Sequence, residues 1–249
     1  MDQAFNASVQ QVGFARAPVL TLGLPLWVSL TAPERVALIG HELAHLANHD
    51  PARSAIIGNG LLALDRWNYL LEPPQYTTES LGEVIMHAIM SLAGKLTGGI
   101  RILLANLLYL DSQRAEYLAD HLAAKVAGSE AVVMTMRKFG LDANLKAVAE
   151  RVYYGGDTDG RSVIDAFRNF TGNVPAREME RIKRAGEQEE ARIDASHPPT
   201  ASRISFIENR KRLDAAIVLD ETQSRAIDKE LQPLFERLSM KIMDESGLY

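Results

Sequence analysis

The chain has 249 residues, of which 47% are hydrophobic and 24% charged, enough for one large core or a core with a helical appendage. Its net charge of −5 excludes a global pull toward nucleic acid or acidic membranes. It has no cysteine, which excludes disulfides and thiolate metal sites and suits a reducing compartment.

The opening Met1-Asp2-Gln3-Ala4 is neither basic nor followed by an apolar stretch, so no secretory signal is expected. The strong strand signal is Pro18 to Ser29, with Val19-Leu20-Thr21-Leu22 and Leu24-Pro25-Leu26-Trp27-Val28. A helix follows. Thr31 and Glu34 form a capping box, and Pro33 falls in the first turn, where a missing N–H costs nothing. Val36, Leu38, Ile39, Leu43, Ala44 and Leu46 give that helix an apolar face.

Residues 41 to 45 of the same helix read His-Glu-Leu-Ala-His, an HExxH run. Positions i and i+4 share a helix face, so His41 and His45 can both aim an imidazole at one metal ion. Glu42 beside them can reach a water on that ion as general base. A third ligand is needed. Pro51 stands where a third histidine six residues after His45 would be, so that arrangement is excluded. His49 lies one turn past His45, but three histidines on two turns serve a tetrahedral ion poorly. It reads as a structural residue or a support to a ligand.

A helix is expected over 51–71, then a turn at Pro73-Pro74 and helices over 78–94 and 100–127, divided by Gly98-Gly99. No run of 18 or more apolar residues is present, so no transmembrane helix is expected. Residues 84–96 and 100–110 are nonetheless apolar, interrupted by His87, Lys95 and Arg101. They read as a core element, or as an insert that packs on a bilayer, a partner or a missing membrane segment. The last of these helices carries Glu116 and Asp120 at i and i+4, where Ala115, Leu118, Ala119, Leu122, Ala123 and Val126 continue an apolar stripe, and Gly128 stops it. Glu116 can offer the metal a carboxylate oxygen. Asp120 can accept the second N–H of a ligating histidine and fix its tautomer.

From about 129 the chain reads as helices over 130–139, 142–153, 161–171, 175–193, 199–212 and 220–245, with turns at Gly155-Gly156, Gly172 and Pro198-Pro199. Asp220 and Gln223 make a second capping box. Residues 176–192 mix both signs of charge and read as a solvated helix. The fold class expected is mainly α with a small β element (α+β), in one domain over 1–249.

These pieces together resemble the membrane-associated zinc endopeptidases that include the type I CAAX prenyl proteases and the HtpX-like proteases. His41-Glu42-Leu43-Ala44-His45 with Asn48 and Asp50 is similar to their active-site helix. Arg114 and Glu116-Tyr117-Leu118-Ala119-Asp120 resemble the third-ligand helix, and Ser196-His197-Pro198 with Arg203 a downstream His-Pro…Arg element. Phe5-Asn6-Ala7 and Leu22-Gly23-Leu24 resemble the strand region before the active-site helix, so the similarity spans roughly residues 5 to 210.

The resemblance implies a gluzincin-type catalytic domain with one Zn2+ per chain, held by His41, His45 and Glu116. Glu42 activates the water and Asp120 orients a ligand histidine. His197 stabilises the oxyanion or fills the fourth zinc position, with Tyr117, Tyr153 and Tyr154 as weaker oxyanion donors. Arg203 anchors its segment through Asp120 or a backbone carbonyl. A polypeptide substrate is implied, added to a sheet edge for which 18–29 is the candidate. The expected task is zinc-dependent endoproteolysis of membrane-associated or misfolded proteins. The alternative is a catalytically inactive zincin-fold binding or scaffolding protein. The implied setting is the cytoplasmic membrane face, with the chain as the catalytic part of a longer membrane protein.

Overall fold

The computed structural model describes residues 5–13, 17–72, 80–155, 163–189 and 197–245. Met1-Asp2-Gln3-Ala4, Pro73-Pro74, Gly156, residues 190–193 of the expected helix 175–193, and Ser196 lie outside them.

Two short strands, β1 (Ala7–Val12) and β2 (Ala17–Leu22), pair antiparallel, with Ala7 opposite Leu22 and Val12 opposite Ala17. Helix α1 (Leu24–Ser29) follows directly. The expected strand over 18–29 therefore stops at Leu22. Pro25 sits in the first turn of α1, and every residue of α1 is buried, so an unbroken apolar run here carried no period to separate strand from helix.

Helix α2 (Ala32–Ala47) starts where Thr31 and Glu34 place it: Glu34 accepts the Thr31 N–H at 2.7 Å and the Lys138 ammonium at 2.7 Å. Leu43 faces outward, contrary to the expected apolar face. Buried Arg35 ties α2 to its neighbours, donating to the Trp27 carbonyl at 3.3 Å and to Ser224 Oγ at 2.7 Å. At His49 the backbone turns left-handed, φ 59°, and α3 (Asp50–Leu70) leaves in a new direction. For a non-glycine residue that conformation costs roughly 1–2 kcal/mol. Redirecting the chain is what His49 does here.

Helix α4 (Leu81–Ala127) is a single helix of 47 residues. The expected break at Gly98-Gly99 does not occur. Glycine lowers helix propensity by about 1 kcal/mol without forbidding the helix, and α3 packs along this stretch, with Thr97 bonded to Asn68 and Arg101 to Asp65. Unbroken, α4 is long and apolar enough to cross a membrane, and its apolar stretch is unburied. That corrects the expectation of no such helix. With α3 it forms an antiparallel hairpin whose outer surface exposes Ile56, Leu62, Leu92, Leu96, Ile100 and Leu103.

Gly128, at φ 87°, ends α4 and turns the chain into α5 (Ser129–Lys138). A side chain there would meet the Ala215 backbone nitrogen at 3.2 Å. The remaining helices are α6 (Ala143–Tyr154), α7 (Val163–Gly172), α8 (Ala176–Glu187), α9 (Thr200–Glu208) and α10 (Glu221–Glu245). Asp220 and Gln223 cap α10 reciprocally, at 2.8 and 3.2 Å. One core packs α1 against α6, α7 and α10 around Phe167; another packs α2 and α4 against α5 and α9. Among the described residues the architecture is mainly α with one small sheet.

The contact of α2 with α4 sets up the site. Gly40 stands where an added side chain would lie 3.5 Å from the Ala123 backbone. Ala115, Ala119, Ala123 and Ala127 form the buried stripe on the α4 side. Small residues on both helices let the backbones approach closely. Their antiparallel course puts Asp120 opposite His41 and Glu116 opposite His45.

Candidate metal centre

His41 Nε2 and His45 Nε2 lie 3.1 Å apart. Glu116 Oε2 is 3.5 Å from the first and Glu116 Oε1 3.4 Å from the second. A tetrahedral ion with bonds of about 2.0–2.1 Å separates its ligands by about 3.3 Å. The three residues are thus spaced to share one ion, and their donor atoms all fall within 4.8 Å of one another. Glu116 Oε2 is buried and makes no hydrogen bond. Arg203 Nη1 is 3.2 Å away but is not aligned to donate to it. An orphaned, buried carboxylate oxygen facing two imidazoles fits a metal ligand.

Each histidine is held from behind. His41 Nδ1 is 3.0 Å from Asp120 Oδ1, and His45 Nδ1 is 2.9 Å from Asp50 Oδ2. A carboxylate at Nδ1 places the proton there and leaves the Nε2 lone pair toward the shared centre. Asp120 is fully buried and takes two bonds from Arg203, at 2.8 and 2.6 Å. Of the two partners expected for Arg203, the structure has Asp120. Asp50 is gripped by Asn48 at 2.8 Å and by Arg53.

The support from Asp50 went unread as such. It depends on the left-handed turn at His49, which folds the start of α3 back onto α2. The available signal was Asn-His-Asp-Pro, a break followed by a helix start.

The charges follow from this packing. Burial of His41 disfavours its charged form, yet the Asp120 and Glu116 carboxylates outweigh it and raise the pKa to about 9. His45 is raised in the same way, burial opposing and Glu116 and Asp50 prevailing. For Glu116 burial works upward, but the neighbouring His197, His41 and His45 imidazoles hold it far below the usual carboxylate range. Burial pushes the Glu42 carboxyl up, against the downward pull of the histidines. The carboxylates of the centre thus draw positive charge onto its histidines.

Glu42 is buried and lines both hollows that meet at the histidines. The larger is an open cleft of about 870 Å³ walled by β1 on one side and the start of α3 on the other. The strand beside the centre is β1, so the expected edge at 18–29 is displaced to its partner. His197 reaches the centre with its ring 67% exposed, Nδ1 lying 2.9 Å from Glu116 Oε1. The three tyrosines do not line the cleft. Tyr117 packs on Phe206 at 4.9 Å, while Tyr153 and Tyr154 contact each other at 5.3 Å.

A model of peptidase family M48 matches residues 12–211 of the chain. No curated protein and no solved structure matches it.

Proposed function

The chain belongs to peptidase family M48, a family of metallopeptidases, and from that premise we propose that it is a zinc-dependent endopeptidase acting on membrane-associated or misfolded proteins. The observation that carries this reading is the spacing of the three donor atoms about Glu116.

His41, His45 and Glu116 would hold one zinc ion per chain. Two imidazoles and one carboxylate, with no thiolate, are a donor set of catalytic zinc. Bound there, zinc supplies a Lewis acid that lowers the pKa of water and polarises a carbonyl. Glu42 takes the proton of the attacking water and delivers it to the leaving amine. Burial suits it to both transfers by bringing its carboxyl nearer neutrality. His197, at the mouth of the centre, donates to the oxyanion of the tetrahedral species. Asp120 holds His41, Arg203 holds Asp120, and Asp50 holds His45. The substrate lies extended against β1, whose residues Ser8 to Gln11 wall the cleft. Casein hydrolysis with and without a chelator tests the activity. It should stop on chelation and return with added zinc; hydrolysis indifferent to chelation would contradict the metal-dependent reading.

Zinc must displace the proton on His41. A histidine raised from 6.5 to about 9 gives the metal-free fold stability that is complete below about 6.5. That contribution is lost as pH climbs through about 9. Zinc affinity therefore rises with pH across this window, by up to about tenfold per unit for one proton. Isothermal titration with zinc at pH 7 in buffers of different ionisation enthalpy should report at least about one proton released per ion. Release of none would mean that the imidazoles are already neutral.

Within M48 the chain fits the membrane-associated CAAX-type and HtpX-like proteases, with general protein quality control as its task at the cytoplasmic membrane face. Support comes from the α3–α4 hairpin, inserted between the two halves of the centre with its apolar surface outward. Among the described residues α4 is the helix long and apolar enough to cross a membrane. Residues 84–110 would meet the lipid, leaving Glu116 and Asp120 beyond it. The protein should float with phosphatidylcholine vesicles, and Leu92→Glu with Leu96→Glu should abolish flotation. Wild-type protein that stays at the bottom of the gradient would refute the membrane role.

A further inference from the structure

The apolar stretch of the α3–α4 hairpin is crossed by an ion pair. Asp65 on α3 accepts from Arg101 on α4, and both side chains are nearly half exposed, at 48% and 43%. Residues 54–71 and 84–110 hold a single acid, Asp65, beside Arg66, Lys95 and Arg101. A long basic side chain can lift its charge toward an interface along its own stem, but an aspartate is too short to do so. One turn on, Thr97 donates to Asn68 across the same seam, which fixes the register that joins Asp65 to Arg101.

In water such a pair needs nothing more. In the placement proposed above, where residues 84–110 meet lipid, its open side would face hydrocarbon. Ionisable groups inside a bilayer face protein and pair there, because bare exposure to lipid is costly. The open side of Asp65 and Arg101 therefore needs cover, and the cover must offer both signs of charge at one depth.

This surface meets that condition itself. Asp65 and Arg101 lie side by side on antiparallel helices. A two-fold axis along the bilayer normal keeps two copies in one orientation and brings Asp65 of each opposite Arg101 of the other. The result is a ring of four alternating charges. Leu62 and Tyr69, one turn to either side of Asp65 and both exposed, supply apolar packing around it. We propose that a second copy of this chain docks on the Asp65–Arg101 face of the hairpin within the membrane. The proposal rests on the membrane reading above and not on the peptidase chemistry.

The chain has no cysteine, so one added after Tyr249 takes a donor or acceptor fluorophore at a single place. Wild-type protein carrying both labels in dilute phosphatidylcholine vesicles should show energy transfer that unlabelled protein competes away. Asp65→Arg leaves two bases on the face and Arg101→Asp two acids, so each alone should associate at least about tenfold more weakly. Mixed together they should regain wild-type transfer, since each copy then offers the charges the other lacks. A pair that acted only within one chain would not be restored by mixing. Asp65→Leu with Arg101→Leu leaves no charge to bury, which keeps the test alive if the single variants do not fold. It should still float, yet associate at least about tenfold more weakly, because lipid is as apolar as leucine and gives two such faces little reason to meet.

Four results would overturn the pairing and leave the membrane reading standing: wild type that floats without energy transfer, single variants that associate as wild type does, folded single variants that mixing does not restore, or a double leucine variant as tight as wild type. Wild type that does not float would overturn the membrane reading, and the pairing with it.

Discussion

Glu42→Gln should abolish measurable proteolysis while leaving the metal content unchanged. Glu42 stands next to His41 yet belongs to neither the donor triangle nor its supports. Glutamine keeps its shape and its place at the meeting of the two hollows, and loses only the ability to take a proton. A positioned general base contributes about 10²–10⁴-fold to rate, so kcat should fall by that factor with KM nearly constant. Metal analysis on the same preparation separates this from loss of the ion. A variant that cuts as fast as wild type would remove Glu42 from the chemistry. The alternative, in which the family's fold survives as a binding or scaffolding protein, would be favoured instead by wild-type protein that binds zinc and cuts nothing.

Asp120→Ala should destabilise the fold itself. Asp120 is fully buried and accepts both Arg203 bonds while holding His41. Removing it leaves a buried guanidinium opposed only by Glu116, whose Oε2 is not aligned to accept. Breaking such a buried pair costs about 3–5 kcal/mol. For a chain of this size the melting temperature should drop by on the order of 10 °C. The measurement belongs in chelator, where lost metal cannot contribute. A drop of only one or two degrees there would show that solvent reaches Arg203 and that the pair is dispensable. Asp120→Asn, which preserves one acceptor, should fall between wild type and alanine.

The parts of the centre that sequence made legible are the parts built by one helix. His41 and His45 are one turn apart on α2, and Glu116 and Asp120 are one turn apart on α4, so spacing alone shows that each pair shares a face. Thr31 with Glu34, Gly128, and Asp220 with Gln223 are likewise local, and each sits at the helix boundary its chemistry suggests. What escaped depends on contacts distant in the chain or on a choice that periodicity cannot make. Asp50 reaches His45 only because His49 takes a left-handed turn. The Leu24–Ser29 segment is buried on all sides, which erases the difference between strand and helix patterns. Gly98-Gly99 reads as a break until α3 packs along it. An apolar stretch in the sequence also does not say whether it faces a core or the outside. Along α3 and α4 it faces outside.

The central claim is that His41, His45 and Glu116 hold a zinc ion whose presence makes the chain a peptidase. The most direct measurement is zinc stoichiometry and casein hydrolysis on the same preparations of wild type and Glu116→Ala, each checked for folding by circular dichroism. The account predicts one zinc per wild-type chain with hydrolysis, and the loss of both in folded Glu116→Ala. Full zinc occupancy in that variant, or wild-type protein that binds zinc and cuts nothing, would contradict it.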